Sequence, residues 1–447
     1  MTNNKTALIL SVGGTPAPLI TSIKYHKPDL ICFLYTPETQ KHIEEILKET
    51  HYTNDSENYE IENSDSLNEA YDKTREIIQK LHQQKYNINV DFTGGTKTMV
   101  AGLTLATMGE NCDYTYVGAS SNIRGRDKEG TGTVQSGFEL IKKQTDPLYK
   151  YAVIEFGRGT EFFNKYQFEA ANENLNLALN KLDDEKYLKL SKLYIKIVNF
   201  YDSWDKFNNK IGTSPLNYYL KKEILNEIDN NQEILNYFNS KEKDFYNQIK
   251  NNILFLNQKV LKRDKHLEKS INYYLPDLLN NASRRIDERK FDDAVARLYR
   301  AIELIAQVNL NKIGLIDENR LNVNKVFHIK KDIFEEIADY NTKEIVSTWK
   351  EYKDYKKTFG IPLYKSYQLL KLLNIKIGEN FLNDKELSEI LRARNDSILA
   401  HGIKPISEEK TLELYKKIYE YAEKTCPHLK EYMELSKFPK FTSEYLI

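Results

Sequence analysis

Arg394 and His401 stand seven residues apart in the run Arg392-Ala393-Arg394-Asn395-Asp396-Ser397-Ile398-Leu399-Ala400-His401-Gly402. Seven residues advance an α-helix by roughly 700°, about 20° short of two turns, so a helix through this run projects both side chains from one face. A guanidinium placed there binds and neutralises a phosphate, and an imidazole accepts and donates a proton. Gly402 suits the left-handed residue that ends a helix and Pro405 cannot readily extend one, which predicts His401 in a last turn. Unpaired carbonyls at that end favour imidazolium and draw the histidine pKa toward neutrality.

Metal-free RNA cleavage needs an activated 2′-hydroxyl, a stabilised phosphorane and a protonated 5′-leaving oxygen, and arginine and histidine supply suitable groups. On this reading Arg394 neutralises the phosphate, His401 is the acid or base, and Asn395 orients backbone or substrate through its amide. Two turns separate the pair by about 10 Å along the axis, so one copy encloses a phosphate poorly. Two copies facing across a dimer axis would enclose it. The plainer reading is an arginine in a surface ion pair and a histidine capping a helix.

A second constellation lies about 300 residues earlier, in Gly13-Gly14-Thr15-Pro16 and Thr93-Gly94-Gly95-Thr96-Lys97-Thr98. Both turns follow apolar runs that read as parallel strands, and ligands of open parallel sheets bind outside the carboxyl ends of strands. Glycine admits a phosphate close to the backbone, threonine offers hydroxyls and N-caps, and Lys97 adds a positive charge at the next helix. Thr96 precedes Lys97, so this is not a Walker A loop, and the first turn is not GxGxxG. An ATPase or a dinucleotide enzyme is disfavoured.

The elements that must carry these residues fall into two kinds. Up to about residue 145, short apolar runs alternate with amphipathic stretches; the candidate strands Ala7–Val12, Leu30–Leu34, Tyr59–Glu62, Ile88–Phe92 and Tyr114–Gly118, with helices between them, predict an α/β Rossmann-like fold. Glycines at 125, 130, 132 and 137 before Phe138-Glu139-Leu140-Ile141 predict a hairpin closing the sheet. After Asp146-Pro147 three- and four-residue apolar spacing predicts an all-α region, with breaks at Gly157 to Gly159, Gly212 to Pro215, Pro276, Gly360 to Pro362 and Gly402 to Pro405. The expected domains are 1–145, 146–275 and 276–447.

Composition limits the partners. Lysine plus arginine and aspartate plus glutamate each total 65 in 447 residues, so no overall positive field holds a long nucleic acid. Residues 1–145 carry 15 basic and 19 acidic side chains, so an anion bound there needs backbone amides and a few placed cations. Cys32, Cys112 and Cys426 lie far apart, without a CxxC or a Cys/His pairing, which argues against disulfides and structural zinc and suits a reducing cytoplasm. No signal peptide and no run of 18 apolar residues is visible, so a soluble, membrane-free chain with no metal and no bound cofactor is expected.

The first 145 residues, through Asp91-Phe92-Thr93-Gly94-Gly95-Thr96-Lys97-Thr98-Met99, resemble the CRISPR-associated Rossmann fold (CARF) sensor domains of type III CRISPR systems. The run from Arg394-Asn395 to His401 is similar to the R-x4-6-H signature of HEPN ribonucleases. The resemblance implies a homodimer that binds a cyclic tetra- or hexa-adenylate through Gly13, Gly14, Thr15, Thr93, Gly94, Gly95, Thr96 and Lys97, with Ser120, Asn122 and Arg124 as weaker candidates to cover it. It implies cleavage of single-stranded RNA to 2′,3′-cyclic phosphate and 5′-hydroxyl ends, switched on by the ring as allosteric activator. Phe291 to Glu303, with Arg297, Arg300 and Glu303 along its polar side, is a weaker HEPN-like feature in which Glu303 would orient Arg394; solvated ion pairs such as Asp293 with Arg297 are the alternative. Two other functions stay open: a non-enzymatic sensor that binds RNA or protein, and a first domain that degrades its own ring.

Overall fold

The computed structural model describes residues 5–119, 134, 137–182, 184–207, 223–261, 267–315, 328–330, 335–336, 338–347, 358–395 and 405–442. It forms two compact units. One takes in the described residues up to Arg158 together with Asn174–Ser191, the other Gly159–Glu173 and the described residues from Lys192 on.

The first unit alternates strand and helix: β1 (Thr6–Ser11), α1 (Ala17–His26), β2 (Leu30–Tyr35), α2 (Lys41–Thr50), β3 (Asp55–Glu60), α3 (Leu67–Gln83), β4 (Asn87–Asp91), α4 (Lys97–Thr107), β5 (Asp113–Ala119) and β6 (Glu139–Gln144). The sheet order is β3-β2-β1-β4-β5-β6. All pairs are parallel except β5 with β6, which run antiparallel from Tyr114 opposite Gln144 to Ala119 opposite Glu139. The expected closing hairpin is therefore the antiparallel edge of the sheet.

The residues of β1 and β2 are apolar almost without alternation because helices cover both faces. Ala7, Ile9, Cys32 and Leu34 pack with Ile77 and Leu81 of α3 and Leu103 of α4. Leu8, Leu10, Ile31 and Phe33 pack on the other face with Leu19 and Ile23 of α1 and Ile43 and Ile46 of α2. The third strand lies earlier than the candidate strand Tyr59–Glu62, because β3 is an edge strand whose Asp55-Ser56-Glu57-Asn58 half carries polar, largely exposed side chains.

Beyond the sheet come α5 (Pro147–Lys150), α6 (Val153–Asn164), α7 (Phe168–Lys181), α8 (Glu185–Asp205), α9 (Gln232–Lys241), α10 (Lys243–Leu261), α11 (Leu267–Asp287) and α12 (Phe291–Lys312). They are followed by β7 (His328–Lys330), α13 (Tyr340–Ser347), β8 (Thr358–Gly360), α14 (Leu363–Leu372), α15 (Lys376–Asn383), α16 (Lys385–Asn395), α17 (Glu408–Thr425) and α18 (Leu429–Ser436). Among its described residues the regular elements are helices apart from the two three-residue strands, which pair antiparallel as a ribbon. Its largest core gathers Leu275, Leu279, Leu298, Ile302, Ile305 and Ile418, with further apolar side chains of α11, α12 and α14 to α18.

Two expected breaks are not breaks. Helix α6 runs straight through Gly157 and Gly159, and α11 runs through Pro276. A helical glycine costs about 1 kcal/mol and an interior proline about 3 kcal/mol. Burial of Phe156 and Phe163 on α6, and of Leu275, Leu278, Leu279 and Ala282 on α11, outweighs those local costs. Gly212 to Pro215 and Gly402 lie outside the described residues.

Candidate functional site

In the order β3-β2-β1-β4-β5 the chain winds outward in both directions from the β1/β4 boundary, which is the switch point where open α/β sheets form a crevice. The Gly13 turn leaves β1 there and the Gly94 turn leaves β4 there. The two turns touch: a β-carbon on Gly13 would lie 2.7 Å from the Gly95 nitrogen, and one on Gly94 would run into the Ser11 carbonyl. Gly95 also has a φ of +89°, a conformation that side chains disfavour. Around Gly14 there is open space.

The loop after β4 is fixed by internal hydrogen bonds. The Thr93 hydroxyl accepts from the Val117 amide at 2.7 Å, and the Ser11 hydroxyl donates to the Gly94 carbonyl. Thr96 is the N-cap of α4; its hydroxyl accepts from the Met99 amide at 3.2 Å and donates to the Ser64 carbonyl at 2.7 Å. The Thr93 and Thr96 hydroxyls are thus engaged within the fold. What the loop presents outward is different: among the described residues no acceptor meets the N–H groups of Gly95, Thr96, Lys97 and Thr98. Successive amides at a helix N-terminus, with the exposed Lys97 side chain beside them, make an anion-binding nest. Gly14 and Thr15 are exposed on the neighbouring turn. Ser120, Asn122 and Arg124 lie outside the described residues.

Asp91 and Ser11 are buried at this edge, where the sequence assigns them no role. Asp91, the last residue of β4, is fully buried, and its carboxylate accepts from the Ser22 hydroxyl at 2.7 Å, the Thr115 hydroxyl at 3.0 Å and the Thr93 amide at 2.9 Å. His26 Nε2 lies 3.0 Å from the Thr115 hydroxyl, and burial pulls its pKa below the ordinary imidazole value despite Asp91 and Asp113 nearby. Ser11, the last residue of β1, is equally buried. A carboxylate ending a central strand whose Ile88 and Val90 are buried was the available signal.

In the second unit, Arg394 and Asn395 are the last described residues of α16, and His401 lies outside the described residues. The expected amphipathic helix from Phe291 is α12. Along it, Arg300 donates to Glu303 at 3.0 Å and to Gln307 at 3.1 Å, while Arg297 lies 3.5 Å from Asp293 and donates to the Asp293 carbonyl at 2.8 Å. The ion pairs of the plainer reading are therefore present, but Arg297 is more than a surface partner. Its Nε donates to the Asn281 side-chain carbonyl, and burial pulls its pKa down.

Asn281 belongs to a buried charge cluster centred on Asp205. The Asp205 carboxylate accepts from Arg284 Nε at 2.8 Å, Arg285 Nη2 at 2.5 Å and Asn281 Nδ2 at 2.9 Å. The Arg284 guanidinium also lies 3.7 Å from the Phe438 ring centroid. A cleft of about 510 Å³ opens beside this cluster, lined among others by Tyr166, Glu169, Asp205, Lys206, Arg285 and Arg297. Its charges are nearly balanced, and Lys206 bridges Glu169 and Asp202 at 2.9 Å each.

Among the described residues no helix is long and apolar enough to cross a membrane, and no group of three His, Cys, Asp or Glu side chains is arranged to hold a metal ion.

Residues 263–425 match the family model described as the Csm6 HEPN domain. The curated proteins contain no match. Among solved structures, the chain is similar to Enterococcus italicus Csm6 bound to cyclic hexa-2′-fluoro-hexa-dAMP, with a TM-score of 0.54 and 11% identity over 97% of this chain and 100% of that one. Weaker likenesses are a type III CRISPR defence DNA nuclease activated by cyclic oligoadenylate (TM-score 0.25, 13% identity, 44% of this chain and 34% of that one) and Can2 from Sulfobacillus thermosulfidooxidans in complex with cyclic tetra-adenylate (TM-score 0.23, 13% identity, 47% and 69%). The chain therefore has a Csm6-like fold, a Rossmann-like N-terminal sheet followed by a helical region within which residues 263–425 match the HEPN model.

Proposed function

We propose that this protein is a cyclic oligoadenylate-activated, metal-independent endoribonuclease that cleaves single-stranded RNA in type III CRISPR antiviral defence. The observation that carries the reading is the match of residues 263–425 to the Csm6 HEPN model, because that segment brackets Arg394, Asn395 and His401. The full-length likeness in fold to a Csm6 bound to a cyclic hexanucleotide supports the activator class.

The domains in this proposal are a sensor over 1–145, a connecting region over 146–275 and a ribonuclease domain over 276–447. In a homodimer, the ring lies against both copies of the Gly13–Thr15 and Thr93–Lys97 loops. Backbone amides and Lys97 meet its phosphates there, as the acidic balance of the first 145 residues requires. Ring binding favours the subunit placement in which two Arg394/His401 pairs close on one RNA strand.

Arg394 then neutralises the scissile phosphate, His401 moves the proton, and the 2′-oxygen displaces the 5′-oxygen. The products are a 2′,3′-cyclic phosphate and a 5′-hydroxyl. The test is end-group analysis of RNA cleaved in the presence of cyclic tetra- or hexa-adenylate. Those ends support the reading, whereas 5′-phosphate and 3′-hydroxyl ends would exclude attack by the 2′-oxygen.

A further inference from the structure

The carboxylate of Asp91 lies under a loop that is otherwise built to receive an anion, and burying an ionised group is costly unless it is fully hydrogen-bonded. Its bonds show what it holds. Oδ2 accepts from Ser22 on α1 and Thr115 on β5, and Oδ1 accepts from the amide of Thr93, the first residue of the loop. Because Thr115 donates its proton to Asp91, it accepts from His26 Nε2, which places the His26 hydrogen on Nε2. One residue further along the loop, Ser11 on the adjacent strand donates to the Gly94 carbonyl. Thr93 and Gly94 are thus gripped from beneath, while among the described residues no acceptor meets the amides of Gly95 to Thr98.

We infer that Asp91 and Ser11 are positioning residues of the loop site: acting through Thr93 and Gly94, they hold the amides of Gly95 to Thr98 in the array that receives an anionic ring. The inference rests on the reading of the two glycine turns as the ligand site. Neither side chain touches the ligand. Preorganised amides bind an anion more tightly than mobile ones because no ordering cost is left at the moment of binding.

The experiment compares Asp91→Ala, Asp91→Asn, Ser11→Ala and Ser22→Ala in the full chain. The readouts are hydrogen exchange over residues 93–98, affinity for cyclic tetra- and hexa-adenylate, and ring-dependent RNA cleavage. Asp91→Ala should speed exchange in that segment and weaken ring binding about ten- to a hundredfold, as loss of a buried hydrogen-bonded group implies. The ring concentration for half-maximal cleavage rises in step, and the maximal rate falls less than about twofold.

Asp91→Asn keeps an acceptor for Thr93 and should bind within about threefold of wild type; Ser11→Ala should weaken binding about two- to tenfold. Ser22→Ala removes a bond of the same carboxylate without freeing the loop, so it should lower the melting temperature and leave ring affinity within about twofold. Equal weakening by Ser22→Ala and Asp91→Ala, or unaltered exchange over 93–98 in Asp91→Ala and Ser11→Ala, would overturn the positioning role. If Asp91→Ala does not fold, Asp91→Asn and Ser11→Ala still decide it. Altered exchange in a protein whose wild type binds neither ring keeps the positioning of the loop and removes the ligand reading instead.

Discussion

Gly13 and Gly95 meet so closely that a β-carbon on the first would stand 2.7 Å from the backbone nitrogen of the second. The turns after β1 and β4 are therefore one structure, and its shape depends on the absence of side chains at the contact.

Gly13→Ala should force the turns apart. The expected result is ring affinity lowered at least about tenfold and a protein destabilised by about 1–3 kcal/mol, the usual cost of overpacking. Gly14→Ala is the contrast, because nothing lies within 4 Å of the added carbon. Its melting temperature should match that of wild type in a thermal scan, and equal melting of the Gly13→Ala protein would refute the contact argument.

Lys97 is exposed and forms no ion pair with any described residue, so its removal tests charge without a stability penalty. Lys97→Ala should leave the melting temperature in place and weaken ring binding about tenfold. The slope of log affinity against log salt should drop by about one, the signature of one lost phosphate contact. Titrations at several salt concentrations check it. An unchanged slope would move Lys97 out of the site.

Much of the first unit is legible in the chain because a parallel sheet covered on both faces writes long apolar runs, as in Leu30 to Tyr35. The edge strand β3 is misplaced for the same reason: its residues are polar and carry no such signal. Gly157, Gly159 and Pro276 read as breaks because local propensity says so, and burial of Phe156, Phe163 and Leu275 reverses it. Which glycine turns share an edge follows from strand order, and the sequence pattern implies it without showing that Gly13 touches Gly95. The hydrogen-bonded roles of Thr93 and Thr96 are invisible without the partners Val117 and Ser64. For Arg394, Asn395 and His401 the sequence spacing and the family match remain the whole basis of the assignment.

Asp205 finds its arginines 79 and 80 residues away, which no local pattern announces. Its carboxylate is 7% exposed against arginines at 4% and 10%, so Asp205→Ala takes the carboxylate partner from buried Arg284 and leaves Arg285 paired with Glu288 alone. The expected loss is about 3–5 kcal/mol of folding free energy, read by urea unfolding. A loss below about 1 kcal/mol would mean that the cluster relaxes to water.

The three thiols are buried, and burial pushes Cys32 and Cys112 up to about 12 and Cys426 up to about 11. An unfolded cysteine titrates near 8.5, so above that pH the unfolded chain loses thiol protons that the folded chain keeps. Their contribution to stability is therefore complete below about pH 8.5 and falls as pH rises toward the folded values. At pH 8 the native protein should react with an aromatic disulfide reagent far more slowly than the urea-unfolded chain. Rapid reaction of three thiols in the native protein would contradict the burial.

The central claim is that Arg394 and His401 perform metal-free, ring-switched RNA cleavage. The most direct measurement is the cleavage rate of a single-stranded RNA in excess EDTA, with and without cyclic tetra- and hexa-adenylate, for wild type, Arg394→Ala and His401→Ala. The account predicts that one of the rings raises the wild-type rate at least about a hundredfold and that both variants lose at least about a hundredfold of the activated rate, within the range for removing an acid–base or charge-stabilising group. Cleavage that stops in EDTA, or that persists at the wild-type rate in His401→Ala, would contradict it.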